Sequence, residues 1–363
     1  MVILGIESTC DETGVAIVAN GRKILASIVA SSVEFHKKYH GVVPEVAARE
    51  QVRCILPVIA EAAANAAETP HSKLKTRNSL ENKKMISWVK KNIDAIAIAH
   101  GPGLIGSLLV GVETTKALAL AWDKPLIPVN HLIGHVYANW LLPISNLPKF
   151  PLVALIVSGG HTDLILMVDH SKFKWLGGTL DDAGGEVFDK VARVLGLSYP
   201  GGPEIERIAR KLETGNSKLE TKNFKLPRPM IDSGDFDFSF SGLKTAVVNI
   251  VKSLDSKKLS DEKTEIAHEF QKVIVDVLVT KTFKAAKEFY AKSIVVGGGV
   301  AANSTLRRQM SEVGSEHNIK TFFPTKELSI DNGAMIAAAA FFNKKVINPL
   351  KLQADPSLYF STD

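Results

Sequence analysis

Apolar residues along this chain fall into short runs separated by small polar turns, and the spacing of those runs predicts an α/β protein. Ile3-Leu4-Gly5-Ile6 and Val15-Ala16-Ile17-Val18 flank Glu7-Ser8-Thr9-Cys10-Asp11-Glu12-Thr13, which predicts a β-hairpin. An Ala-rich stretch around Val46 to Glu68 reads as helix. Ala95 to Ala99 reads as a buried strand; it runs into His100-Gly101-Pro102-Gly103-Leu104, a turn opening a helix from about Leu108 to Trp122.

The pattern then recurs. Leu152 to Val157, the turn Ser158-Gly159-Gly160-His161-Thr162 and Asp163 to Val168 predict a second hairpin. Later, Ser293 to Val296 leads through Gly297-Gly298-Gly299-Val300-Ala301-Ala302-Asn303 into a helix starting near Ser304. Two similar α/β domains are the expected architecture, as the length of 363 residues also suggests. The expected division is 1–130 with 334–363 as one domain and 131–333 as the other, the latter carrying the metal and nucleotide sites. The Lys-rich stretches Lys211 to Lys225 and Lys252 to Lys263 read as loops.

Composition narrows the class without naming it. With 45% hydrophobic and 23% charged residues, the chain is neither disordered nor fibrous. Its longest apolar run, Ala334 to Phe342, is far short of the ~20 residues that cross a bilayer and is expected as buried helix. Met1 leads directly into a strand-like run, so a cytoplasmic protein is expected. Two cysteines, Cys10 and Cys54, exclude a disulfide framework and a four-cysteine zinc site. The net charge of +6 is unevenly placed: Lys73, Lys75, Arg77, Lys83, Lys84, Lys90 and Lys91 face Glu81 alone. A polyanionic partner fits this 69–92 segment, as does a solvated basic insertion.

Several motifs carry chemistry. Ser158-Gly159-Gly160 and the Gly297–Asn303 turn allow backbone N–H groups to approach a phosphate, although turns favour such residues anyway. Asp181 or Asp182 suits a helix N-cap, and Asp189 suits ribose hydroxyls or a surface ion pair. His131 and His135 stand one helical turn apart, so both imidazoles share a face. They suit a metal if an oxygen ligand joins them, and Asp331 is the candidate; two hydrogen-bonded core histidines are the alternative. Leu132 occupies the place of a metalloprotease glutamate.

Taken in order, these motifs resemble a known family over nearly the whole chain: the universal tRNA threonylcarbamoyladenosine-forming transferases, once labelled O-sialoglycoprotein endopeptidases. The resemblance rests on Gly5 to Thr13, Gly41-Val42-Val43-Pro44-Glu45, Gly101 to Leu104, His131 and His135, Val157 to Thr162, Phe238 to Thr245, and Asp331 to Ile336. It implies two ribonuclease-H-like domains around a cleft, as in actin, Hsp70 and sugar kinases. It implies transfer of the threonylcarbamoyl group of L-threonylcarbamoyl-adenylate to N6 of adenosine 37 in tRNAs reading codons that begin with A, with release of AMP.

The resemblance further implies His131, His135 and Asp331 as metal ligands. It places the adenylate against Ile156, Val157, Ser158, Gly159, Gly160, Asp189, Gly202, Glu206 and Asn303. Ile156 stands where archaeal and eukaryotic relatives carry a metal-binding Tyr, which matches the bacterial branch. Asp11 and Glu12 are the candidates for the base that accepts the N6 proton. The implied cofactor is one divalent metal ion, iron first and zinc second, and the implied partners are the tRNA anticodon arm and two accessory proteins, a degenerate paralogue (TsaB) and a small ATPase (TsaE). A kinase or ATPase of the same fold, a metalloprotease and a non-enzymatic scaffold are the rival readings.

Overall fold

The computed structural model describes residues 1–67, 79–141, 147–213 and 224–360. Its strands are β1 (Val2–Glu7), β2 (Glu12–Ala19), β3 (Lys23–Ser31), β4 (Ala95–Gly101), β5 (Leu126–Asn130), β6 (Leu152–Val157), β7 (Thr162–Asp169), β8 (Lys172–Gly178), β9 (Ser293–Gly297) and β10 (Lys320–Phe322). Its α-helices are α1 (Val33–His36), α2 (Pro44–Ala66), α3 (Ser79–Asn92), α4 (Ile105–Trp122), α5 (His131–Tyr137), α6 (Gly184–Val194), α7 (Gly201–Glu213), α8 (Ser241–Ser253), α9 (Ser256–Glu288), α10 (Ser304–Glu316), α11 (Lys326–Ser329) and α12 (Gly333–Asn343).

The chain divides into two compact units, Met1–Leu147 with Ile330–Asp363 and Pro148–Ser329. The first holds a sheet of order β3-β2-β1-β4-β5, the second a sheet of order β10-β9-β6-β7-β8. Read from opposite ends these orders are the same: an antiparallel three-stranded meander, then strands added parallel to its first strand. This is ribonuclease-H-like topology twice over, so the expected repeat is present at the level of strand order.

Each sheet is buried because crossover helices cover it. In the first unit Leu4, Ile6, Val15, Ile17, Ile96 and Ile98 pack with Ile55, Ile59 and Val112 from α2 and α4. In the second, Val153, Leu155 and Val296 pack with Val187, Phe188, Phe270 and Ile274 from α6 and α9. Helix α4, 18 residues long, has the length and apolarity to cross a membrane. It joins the parallel strands β4 and β5, burying Leu108, Gly111, Val112 and Ala119 as such a crossover must.

Three expectations need correction. The boundaries fall at 147 and 330 rather than 130 and 333, because α5 packs with β4, β5 and α12, the last of which lies in the first unit as expected; His131, His135 and Asp331 therefore belong to the first unit. Lys252 to Lys263 is helical on both sides of a break at Leu254 and Asp255. Lysines and glutamates are good helix formers, and the Asp255 carboxylate accepts from the Lys258 N–H at 2.9 Å to start α9. Asp181 does not cap the adjacent α6: its carboxylate accepts from the backbone N–H groups of Phe240 (2.8 Å) and Ser241 (3.3 Å), capping α8. Of the basic segment, Lys73, Lys75 and Arg77 lie outside the described residues, as does most of Lys211 to Lys225, while residues 79–92 are helical.

Candidate metal centre

Helix α5 starts at His131 because the Asn130 side chain accepts from the N–H groups of Leu132 (2.8 Å) and Ile133 (3.4 Å). Asn332 caps α12 in the same way, accepting from the Met335 N–H at 2.9 Å, which leaves Asp331 one residue outside that helix. The start of α12 lies directly on the first hairpin. A Cβ added at Gly333 would meet the Ala16 nitrogen and the Gly5 oxygen at 2.5 Å, and one at Gly5 would meet the Gly333 oxygen at 2.2 Å. Only glycine at both positions lets Asp331 come this close.

The outcome is a convergence. Among the described residues, one atom each from His131, His135 and Asp331 lie within 4.8 Å of one another. Asp331 Oδ1 is 3.2 Å from His135 Nε2 and 3.7 Å from His131 Nε2. The rings meet edge-on with centroids 4.7 Å apart. His135 is 1% exposed, and its Nε2 is not aligned for a hydrogen bond with Asp331 despite their proximity. A buried nitrogen without a hydrogen bond is costly in a protein core but is what a metal ligand requires. Two imidazoles and a carboxylate make a donor set that fits a divalent transition metal.

Glu7, fully buried at the end of β1, is a residue that sequence reasoning passed over. Its Oε2 lies 2.9 Å from His131 Nδ1, and its Oε1 accepts from the Thr9 N–H at 2.7 Å. Thr9 Oγ1 also lies 3.2 Å from the same Nδ1. An Nδ1–H donated to a carboxylate leaves Nε2 as the lone-pair nitrogen, turned toward Asp331. The hairpin tip that carries these groups is held by α2: Gln51 Nε2 donates to the carbonyls of Ser8 (3.3 Å), Cys10 (2.9 Å) and Glu12 (3.2 Å).

The electrostatics follow from this packing. Burial alone would lower the His131 pKa, but Glu7 and Asp331 override it and raise the imidazolium to about 9 without a metal. Protons and metal therefore compete for Nε2, and affinity rises with pH. Burial, then Asp11 and Asp331, push the Glu12 carboxyl well above the ordinary range; its Oε1 accepts from Ser31 Oγ at 3.1 Å. Burial and the same carboxylates also push the Cys10 thiol up, so it is a poor nucleophile.

The second unit gathers its glycine-rich turns at the ends of β6 and β9. A Cβ on Gly185 would meet the Ser158 oxygen at 2.5 Å, and one on Gly298 (φ +91°) would meet the Val157 oxygen at 2.3 Å, so these glycines are demanded by packing. Gly159, Gly160, Gly202 and Gly299 have nothing within 4 Å of a Cβ and no left-handed φ. Ile156 and Val157 are buried strand residues and Ser158 is half-buried.

The polar residues expected beside these turns are engaged within the unit. Asp189 accepts from the Gly201 N–H at 2.6 Å, which sets the start of α7 next to Gly202. Glu206 accepts from the Ser304 N–H at 3.1 Å and from its hydroxyl. Asn303 caps α10 through the Leu306 N–H (3.0 Å) and donates to Gln271 (2.9 Å). Thr162 Oγ1 accepts from the Gly184 N–H at 2.8 Å and is fully buried.

Residues 23–338 match the family model described as tRNA N6-adenosine threonylcarbamoyltransferase. The chain is 45% identical over 358 residues to the protein of that name from Moorella thermoacetica, covering 98% of this chain and 96% of the relative. It is 44% identical over 361 residues to that from Bacillus subtilis, covering 99% and 95%. Among solved structures it is similar to HypF of T. kodakarensis, with a TM-score of 0.57 at 16% identity over 94% of this chain and 47% of that one, a likeness of fold alone.

Proposed function

Since the chain belongs to the tRNA N6-adenosine threonylcarbamoyltransferase family of acyltransferases, we propose that it transfers the threonylcarbamoyl group of L-threonylcarbamoyl-adenylate to N6 of adenosine 37 in tRNAs reading A-initial codons, releasing AMP. The observation that carries the reading to chemistry is the convergence of His131, His135 and Asp331 on one point, with Glu7 buried behind it. A sugar kinase or ATPase of this fold has no need of such a group.

In this reading the adenylate phosphate lies on the open glycines Gly159, Gly160, Gly202 and Gly299, whose backbone a ligand approaches unobstructed. Ile156, Val157, Ser158, Asp189, Glu206 and Asn303 shape the surrounding pocket. Because Asp189, Glu206 and Asn303 already bond within the unit, they hold the turns in place. The donor is an activated mixed anhydride, so the protein's main task is positioning, which is worth roughly 7–11 kcal/mol for a well-oriented pair.

A divalent ion held by His131, His135 and Asp331 supplies Lewis-acid stabilisation of developing negative charge. Iron(II) is the proposed metal and zinc the second choice, since the ligand set accepts both. Glu12, whose carboxyl is raised by burial and by Asp11 and Asp331, is the better of the two hairpin-tip carboxylates for accepting the N6 proton near neutral pH. The proposed partners are tRNA, its anticodon arm drawn by the basic 69–92 segment, and the two accessory proteins. Helices α2 and α4, which pack together, expose Val52, Leu56, Ile105 and Leu109, an apolar face suited to a protein partner. The proposed location is the cytoplasm.

The direct test is reconstitution: purified protein with unmodified tRNA, threonine, bicarbonate, ATP and the adenylate-forming synthase, with and without the accessory proteins. Modified nucleoside is the expected product. Its absence in every combination sinks the reading.

A further inference from the structure

The second unit carries a separate, shallow groove of about 610 Å³ in which Lys149, Lys287, Tyr290 and Lys292 stand beside the apolar Ala291 and Ile319. Lys149 stands just before β6 and Lys292 just before β9, and these strands run parallel. The groove therefore lies where the strands begin and the glycine-rich turns where they end, roughly 17 Å away at ~3.3 Å per residue. A mononucleotide on the turns does not reach it.

Backbone hydrogen bonds fix where two of these lysines stand. The Lys149 N–H donates to Ser293 Oγ (2.9 Å) and the Lys292 N–H to the Pro151 carbonyl (2.8 Å), which tie the two lysine-bearing segments together. Lys287 also offsets the dipole at the end of α9, but Lys149 and Lys292 sit in no helix and have no such role. No acidic side chain lines the groove among the described residues; neither Glu288 nor Glu316 does.

Tyr290 is the second, independent observation. It is 86% exposed and adopts φ +53°, a left-handed conformation suited to Gly or Asn and strained for an aromatic residue. Folding gains nothing evident from a tyrosine there. An exposed ring beside lysines is what a single-stranded or looped RNA uses: phosphates on the ammonium groups and a base on the ring.

We propose that this groove is an RNA-binding surface, with Lys149, Lys287 and Lys292 taking phosphates and Tyr290 stacking an unpaired base. It rests on the reading above in taking the RNA to be the tRNA substrate.

The test uses the full chain and fluorescently labelled unmodified tRNA, with affinity measured by anisotropy across a salt series. Lys149→Gln/Lys287→Gln/Lys292→Gln is expected to weaken binding and to reduce the slope of log K against log salt by about 2–3, one phosphate contact per lysine. Tyr290→Asn, which suits the left-handed backbone, is expected to weaken binding about five-fold or more with the salt slope unchanged. Loss of both effects, with each variant binding as the parent does, overturns the groove. A parent protein that binds tRNA but forms no modified nucleoside under the full reconstitution sinks the transferase reading while leaving this comparison decisive. A parent that binds no tRNA overturns both.

Discussion

In the first unit the end of the opening strand and the turn after it bear Glu7, Thr9, Asp11 and Glu12, beside two histidines and the carboxylate of Asp331. In the second unit the equivalent turn, after β6, is Ser158-Gly159-Gly160, with open space where side chains would stand. One end of the fold concentrates ionisable groups out of water; its counterpart presents bare backbone. A ribonuclease-H-like sheet thus offers the same position for two tasks. Charge placed there tunes a metal and protons, and glycine placed there admits a ligand.

The glycines themselves test this contrast most severely. Gly333→Val forces side-chain atoms into the backbone of β1 and β2, which a core cannot yield, and is expected to cost about 3 kcal/mol or more. Denaturant unfolding should show a large fall in midpoint, and metal content should fall with it because Asp331 is displaced. A near-parental midpoint would mean that α12 does not depend on this contact.

Next in size is Glu7→Gln, which keeps the shape and removes the charge behind His131. The metal site should weaken about 10–100-fold, as loss of such outer-shell partners does. Competition titration with a chelating dye measures this on the purified protein. An unchanged constant would reduce Glu7 to a packing residue.

A smaller effect follows from the imidazole. In metal-free protein His131 has a folded-state pKa of about 9 against an ordinary value of about 6.5. Its stabilising contribution is fully present below about pH 6.5 and lost as pH rises to about 9. Chelator-treated protein should therefore unfold at lower urea near pH 9 than near pH 6, and Glu7→Gln should flatten that dependence. A parental curve that is already flat over this window would exclude the pairing.

Much of this was legible in the sequence, for physical reasons that also explain the failures. Both hairpins and the βα turns showed as apolar runs broken by Gly, Pro and small polar residues, since sheets buried on both faces leave that trace. The His131–His135 pair showed because helical spacing is local. Glu7 did not stand out because its partner is 124 residues away and no local pattern marks that contact. The first boundary lies at 147 rather than 130 for a similar reason: α5 packs against β4, β5 and α12, contacts that arise only in the fold. Lys252 to Lys263 reads as a loop because of its lysines, when one aspartate cap after the break at Leu254 is enough to restart a helix.

Gly160→Ala sharpens the contrast at its quiet end. A methyl group there meets nothing within 4 Å, and the backbone is not left-handed, so stability should change by no more than about 0.5 kcal/mol. If the fold does not require glycine at this position, what the methyl group obstructs is the approach of a ligand to the turn. Calorimetric titration with AMP, a product of the proposed reaction, should then show weaker binding for Gly160→Ala than for the parent, with unchanged metal content. Equal AMP affinity in a protein that still forms modified nucleoside would move the adenylate off this turn and toward Gly202 and Gly299. Weaker AMP binding at unchanged stability would assign the glycine to recognition, as packing assigns Gly333 to folding.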